Sequence, residues 1–261
     1  MHSTRRAMLQ NIELMPQYQD FGFQSPSRLE AVAQHADEKD QLQSFSDHVL
    51  IRCQPRIVLR RGAMGLETLQ EAPVFLHYTK AELDRNFDQR GWIPNAVEII
   101  ARHIERSRRT REKLTFISDL RYGPHPDELL DYFPAAQNNA PVHIFVHGGA
   151  WKNFTKNDYS FPAENYVAAG FHTVILNFSK LPTVRLPEMV DQVRRGVAWV
   201  YKNAEQYGGD PHRLSMSAHS SGAHLTANAL ITDWAVFGCP PDIVKAAACV
   251  SGPYDLHAER A

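Results

Sequence analysis

Cysteine is scarce in this chain. Three are present in 261 residues, Cys53, Cys239 and Cys249, and none forms a CxxC pair. An odd, sparse set argues against a disulfide framework and fits a reducing compartment. An excess of one charge is also missing: 28 basic residues face 29 acidic ones, for a net charge of −1. That balance gives no global field for nucleic acid or an anionic membrane, so neither is expected as a partner. No apolar run approaches the length of a membrane span. The start carries the basic pair Arg5-Arg6, but Gln10, Asn11 and Glu13 interrupt the apolar stretch an export signal needs, and a cytoplasmic protein is expected. Repeats and low-complexity tracts are absent as well. What remains is an ordinary globular composition, 43% hydrophobic and 22% charged.

The first stretch, 1–72, has weak periodicity and reads as an N-terminal extension of uncertain structure, with short strand candidates at 49–51 and 57–59. A single domain is expected over 73–261. It opens on a capping box, Thr79 with Glu82 three residues later. A helix follows over 94–113, with Val97, Ile100 and Ile104 expected on one face. Its other side is rich in arginine, but Glu98, Glu105 and Glu112 interleave, so it reads as a solvated face. Strands are expected at 114–120, 129–133, 142–146, 172–178, 213–218 and 245–251. Helices are expected at 159–169, 187–207 and 221–233. The second of these carries Val190, Val193, Val197, Val200 and Tyr201 on one side, with Pro187 in its first turn and Gly208-Gly209 at its end. Continuous apolar strands alternating with helices indicate an α/β fold with a mostly parallel sheet covered on both faces. Cys249 sits in one such run and reads as a small core residue.

Two segments carry chemistry. Ser217-Ala218-His219-Ser220-Ser221-Gly222-Ala223-His224-Leu225 places a serine between a strand and a helix, with small residues two before and two after. A sharp strand-to-helix turn presents a nucleophile in this way, because bulky neighbours would clash. The usual pattern has glycine at both flanking positions, and Ala218 departs from it. Upstream, Val142-His143-Ile144-Phe145-Val146 runs into His147-Gly148-Gly149-Ala150-Trp151. Paired glycines leave backbone N–H groups free to face a ligand, as an oxyanion hole requires. The second half of such a hole is the N–H of the residue after the nucleophile, here Ser221. His143 and His147 would lie about 13 Å apart along one side of a strand, too far to share a metal ion, and no metal is expected.

With these segments, together with Leu120-Arg121-Tyr122-Gly123, Leu130-Asp131-Tyr132-Phe133-Pro134, Gly209-Asp210-Pro211 and Ser251-Gly252-Pro253-Tyr254-Asp255-Leu256, the chain resembles the esterase/lipase branch of the α/β-hydrolases, and within it kynurenine formamidase-like enzymes. The resemblance implies Ser220 as nucleophile and Gly148, Gly149 and Ser221 as oxyanion donors. It implies hydrolysis of small, often aryl, esters or formamides without a metal or organic cofactor. Trp151 would either line the substrate pocket or pack beneath the loop.

In these hydrolases the acid and histidine of the triad follow the serine, after later strands. Here about 40 residues follow Ser220, room for one more strand, so the sheet is expected to lack its C-terminal strands. The late candidates are Asp255, which also suits a turn cap, and His257. His219 is expected to point away from the turn's apex, and His224 to be a satisfied helix residue. The alternative is therefore a truncated or degenerate hydrolase fold without activity, with an uncovered edge strand near Val250.

Overall fold

The computed structural model describes residues 71–257, all within the unit Pro55–Ala261. Cys53, the strand candidates at 49–51 and 57–59 and nearly all of the expected extension lie outside the described residues.

Six strands form one sheet: β1 Ile117–Arg121, β2 Leu129–Phe133, β3 Ala140–Val146, β4 His172–Leu176, β5 Gly209–His219 and β6 Val244–Val250. Their order is β1-β2-β4-β3-β5-β6. β2 is antiparallel to β1 and β4, and every other pairing is parallel. The α/β-hydrolase architecture is thus in place, with β3 and β5 side by side. β5 begins earlier than its apolar pattern suggests, because Gly209 and Asp210 pair with Ala140 and Pro141 before the register shifts. Among the described residues β6 pairs only with β5, and its Ala247 and Ala248 are exposed.

The helices are α1 Lys80–Phe87, α2 Gln89–Trp92, α3 Ala96–Lys113, α4 Pro162–Ala168, α5 Leu186–Asn203 and α6 Ser221–Leu230. The capping box at Thr79 and Glu82 is formed. α5 buries Val190, Val193, Val197 and Val200 as its valine stripe requires. A 3₁₀ turn, Ala204–Tyr207, extends it until Gly208 ends the run at φ 81°.

Side chains alternate across the sheet. Val142, Ile144 and Val146 join the large core with α5 and α6, while Phe145 joins Phe133, Ile175 and Ala163 on the opposite face. Coverage of both faces explains why the strands read as unbroken apolar runs. Cys239 is buried, and Cys249 is only half-buried, because it lies on the edge strand. No helix among the described residues is long and apolar enough to cross a membrane.

α3 departs from its expected packing. Val97 is 68% and Ile104 40% exposed, and the residues it buries are Ala96, Ser107 and Thr110. Hydrogen bonds and charge dock this helix instead of an apolar stripe. The Ser107 hydroxyl donates to Asp158 O at 2.7 Å and accepts the Phe161 N–H at 3.2 Å. Arg111 turns inward and pairs with Asp131, a fully buried carboxylate on β2. Asp131 also takes Lys156 Nζ at 2.9 Å and the Asp119 N–H at 3.0 Å. The remaining basic residues behave as a solvated face: Arg108 and Arg109 both pair with Glu105.

Two buried histidines lie on β3 and at its exit. His143 lies between the Ser215 and Ser217 hydroxyls, at 2.9 and 2.7 Å, and stacks on Tyr166. Burial holds it neutral, with its pKa pushed down to about 3. His147, just past the strand, is likewise pushed down to about 4 by burial.

Two expectations follow. Both histidines bind a proton in the unfolded chain near pH 6.5 but resist it when folded, so stability is complete above about pH 6.5 and falls as pH drops towards 4. Urea midpoints should decline over that window, and His147→Phe, which keeps a ring in place, should flatten the decline. Asp131→Ala leaves Arg111 without its carboxylate partner and Lys156 with the Asp119 carboxylate alone. It should lower the unfolding free energy by about 3–5 kcal/mol, read from urea titration at pH 7.

Candidate active site

β5 ends at His219 and α6 begins at Ser221, so Ser220 occupies the turn between strand and helix. Its backbone stands at φ 55°, ψ −128°, a conformation non-glycine residues avoid at a cost of roughly 1–3 kcal/mol. Backbone hydrogen bonds on both sides hold it there. The Ser220 N–H donates to Val250 O of β6 at 2.8 Å, and Ser220 O accepts the Ala223 N–H at 2.9 Å. A Cβ on Gly222 would fall on the carbonyl oxygens of Val146 and His147. The small residue two after the serine is therefore imposed by the backbone at the end of β3. Two before it, Ala218 lies inside β5 between Val146 and Cys249, 1% exposed, where a methyl group fits the core. Alanine is thus accommodated where glycine is usual.

The segment leaving β3 meets this turn directly. A Cβ on Gly148 would lie 2.7 Å from His219 O and 3.1 Å from the Ser220 Cβ. Gly149 has φ 121°, and a side chain there would strike Asn153 O and the Phe154 ring. Ala150, Trp151 and Phe154 also hold positive φ, at 51°, 56° and 68°. The loop is tied internally by the Lys152 and Asn153 N–H groups, which both donate to Gly149 O, at 3.0 and 2.9 Å. The Leu181 N–H donates to Trp151 O at 2.8 Å, and Lys180 Nζ to Phe154 O at 3.1 Å. The Trp151 N–H crosses to the Ser221 hydroxyl at 3.2 Å.

Of the residues the sequence singles out, Gly148, Ser220 and Ser221 therefore come together, with Gly149 next along the bend. Trp151 is 8% exposed, and its indole meets His224 edge-on with ring centres 5.6 Å apart. The His219 ring, expected to point away from the turn, lies beside Gly148, its Nδ1 3.4 Å from where a Cβ would sit. His224 is buried; its Nε2 meets Asn228 Nδ2 at 3.2 Å, while its Nδ1 has no partner. Burial lowers the pKa of both histidines. Asp255 and His257 pair with each other at 2.6 Å but stand 71% and 78% exposed on the run after β6. The backbone N–H of His257, and then its ring nitrogen, hold the Asp255 carboxyl below its ordinary range.

Two contributors escape sequence reasoning. His147 is fully buried, stacks on Phe178 at 4.4 Å, and donates from Nδ1 to Gly148 O at 2.8 Å, which fixes the first glycine's peptide. A histidine at a strand end next to two glycines is a visible signal; the partner ring on the next strand's exit is not. The Ser221 hydroxyl is the other, since its partner lies 70 residues away. Among the described residues no cluster of His, Cys, Asp or Glu is arranged to hold a metal ion.

Comparison with known proteins places this geometry. A family model, BD-FAE, matches residues 130–234, the span from β2 to just past α6. Kynurenine formamidase of Danio rerio is 34% identical over 186 residues, 68% of this chain and 62% of that protein. Esterase LipQ of Mycobacterium tuberculosis is 34% identical over 230 residues, 80% of this chain and 54% of that protein. Among solved structures, a protein described as a candidate thioesterase from Silicibacter sp. TM1040 superimposes with a TM-score of 0.59 at 25% identity, covering 69% of this chain and 66% of that one. The chain spans about three fifths of the length of the kynurenine formamidases it matches. The chain thus has the α/β-hydrolase fold, and it is similar to the BD-FAE family, to kynurenine formamidases and to esterases.

Proposed function

We propose that this chain is a serine hydrolase of small esters or formamides, aryl ones among them, acting through an acyl-enzyme on Ser220. One observation carries the reading. Ser220 is held in a disfavoured backbone conformation at the strand-to-helix turn, with the Gly148 backbone packed on its Cβ. Strain of this kind persists only where the surroundings over-determine it, and it recurs where function needs it. The Ser220 hydroxyl attacks the substrate carbonyl and passes its proton to water as the C–O bond forms; the same water returns a proton to the leaving group. The resulting oxyanion is met by N–H groups of Gly148, Gly149 and Ser221, of which one donor contributes about 10²–10³ in rate. Collapse expels the alcohol or amine, which takes up a proton, and water then hydrolyses the acyl- or formyl-serine. Trp151, buried against His224, borders the substrate side of the loop. The similarity to a kynurenine formamidase and to esterases supports both bond types, since the same oxyanion chemistry serves them.

A second reading, a hydrolase fold without turnover, is favoured by the exposure of the Asp255–His257 pair. The two separate by experiment. Hydrolysis of 4-nitrophenyl acetate should fall by at least about 10³-fold in Ser220→Ala, and a fluorophosphonate should label wild-type Ser220 alone. Equal rates in both proteins and no label would establish the second reading. Gly222→Ala should push α6 off the end of β3, abolishing labelling and lowering stability by about 1–3 kcal/mol in a thermal or urea melt.

A further inference from the structure

The loop that brings Gly148 to the nucleophile turn is bent against the preferences of its own residues, with Ala150, Trp151 and Phe154 all at positive φ. Such a loop keeps its shape only if neighbouring groups hold it. Leu181 and Lys180 hold it from the side of β4. The bond from the Trp151 N–H to the Ser221 hydroxyl holds it to the turn itself. Ser221 is 2% exposed, so this hydroxyl accepts in a place water does not reach. It is not used as a helix cap, because the N-cap position belongs to Ser220 and makes no side-chain capping bond.

We propose that the Ser221 hydroxyl is a positioning element of the oxyanion hole, acting on the loop through Trp151. The inference rests on the functional reading above, in which the hole draws donors from two separate elements. Gly148 and Gly149 lie on the exit of β3, and the Ser221 N–H lies at the start of α6. Nothing in the sheet ladder fixes one against the other, since both lie beyond the last paired residues, Val146 with Ala218. Ser221 does both jobs: its main chain supplies one donor, and its side chain clamps the loop bearing the others. Alanine at this position would keep the backbone donor and nearly the same volume. It would leave the Trp151 N–H buried without an acceptor, so the peptides from Gly149 to Trp151 would rotate in search of one. Displacements of about 1 Å cost up to about 10²-fold in rate.

The test compares the full chain with Ser221→Ala, Ser221→Cys and Ser220→Ala. Hydrogen exchange reads the clamp directly: in Ser221→Ala, amides of residues 148–154 should exchange at least about ten times faster, while β3, β5 and α5 keep wild-type protection. With 4-nitrophenyl acetate, kcat should fall about 10- to 100-fold with KM within about twofold. Affinity for an alkylboronic acid, which forms a tetrahedral adduct on serine, should fall by the same factor as kcat. Ser221→Cys, close in size with a weaker acceptor, should lie between, and it serves as the reporter if Ser221→Ala does not fold. Unchanged exchange over 148–154 overturns the clamp. Faster exchange with an unchanged kcat overturns its role in positioning. If Ser220→Ala hydrolyses the ester as fast as wild type, the hydrolase reading fails on its own, and the exchange data alone decide the clamp.

Discussion

Two backbones meet at the top of the sheet with no room for a side-chain carbon between them. The first turn of α6 sits on the carbonyls of Val146 and His147 because Gly222 has no Cβ, and the segment after β3 sits on His219 and Ser220 because Gly148 has none. Adjacent parallel strands about 4.8 Å apart deliver both exits to one rim, but only missing atoms bring them into contact. The rest of the site is organised around that contact. His147 fixes the peptide before the bend, the bend forces Gly149 and its followers into left-handed conformations, and the turn at Ser220 is cramped from the other side by β6.

The two faces of the sheet are held by different physics. On one, α5 and α6 press valine, leucine and alanine against Ile144, Leu176 and Met216. On the other, polar groups do much of the fastening. His143 is wedged between two serines and a tyrosine, and Asp131 draws Arg111 and Lys156 inward. Buried ions gain little over a well-packed apolar pair, but they are costly to break and demanding in geometry. They fix the direction in which α3 docks, which a smooth apolar stripe would leave freer.

Legibility from sequence follows the same division. β2 and β4 were readable because Leu129–Phe133 and the run from His172 are apolar and bounded by turn residues. α5 was readable from its valines and its terminal glycine. α3 misled, because Val97 and Ile104 are exposed while Ser107 and Thr110 face inward, and hydrogen bonds to distant carbonyls leave no period in the sequence. The start of β5 misled likewise, since Gly-Asp-Pro carries no strand signal and pairs only because Ala140 and Pro141 lie opposite. At the site, Gly148, Ser220 and Gly222 announced themselves, for each requirement there is local: a tight turn, a close approach, a missing Cβ. The bond between Trp151 and Ser221 did not, because it depends on which strands become neighbours.

The Ser220 amide ends its ladder on the carbonyl of Val250, the last residue of β6. Among the described residues the edge strand is thereby tied to the serine's main chain by a single hydrogen bond. Fraying at that margin would tilt the serine before it loosened the valine-packed interior, a local change that fluorescence and circular dichroism would scarcely register.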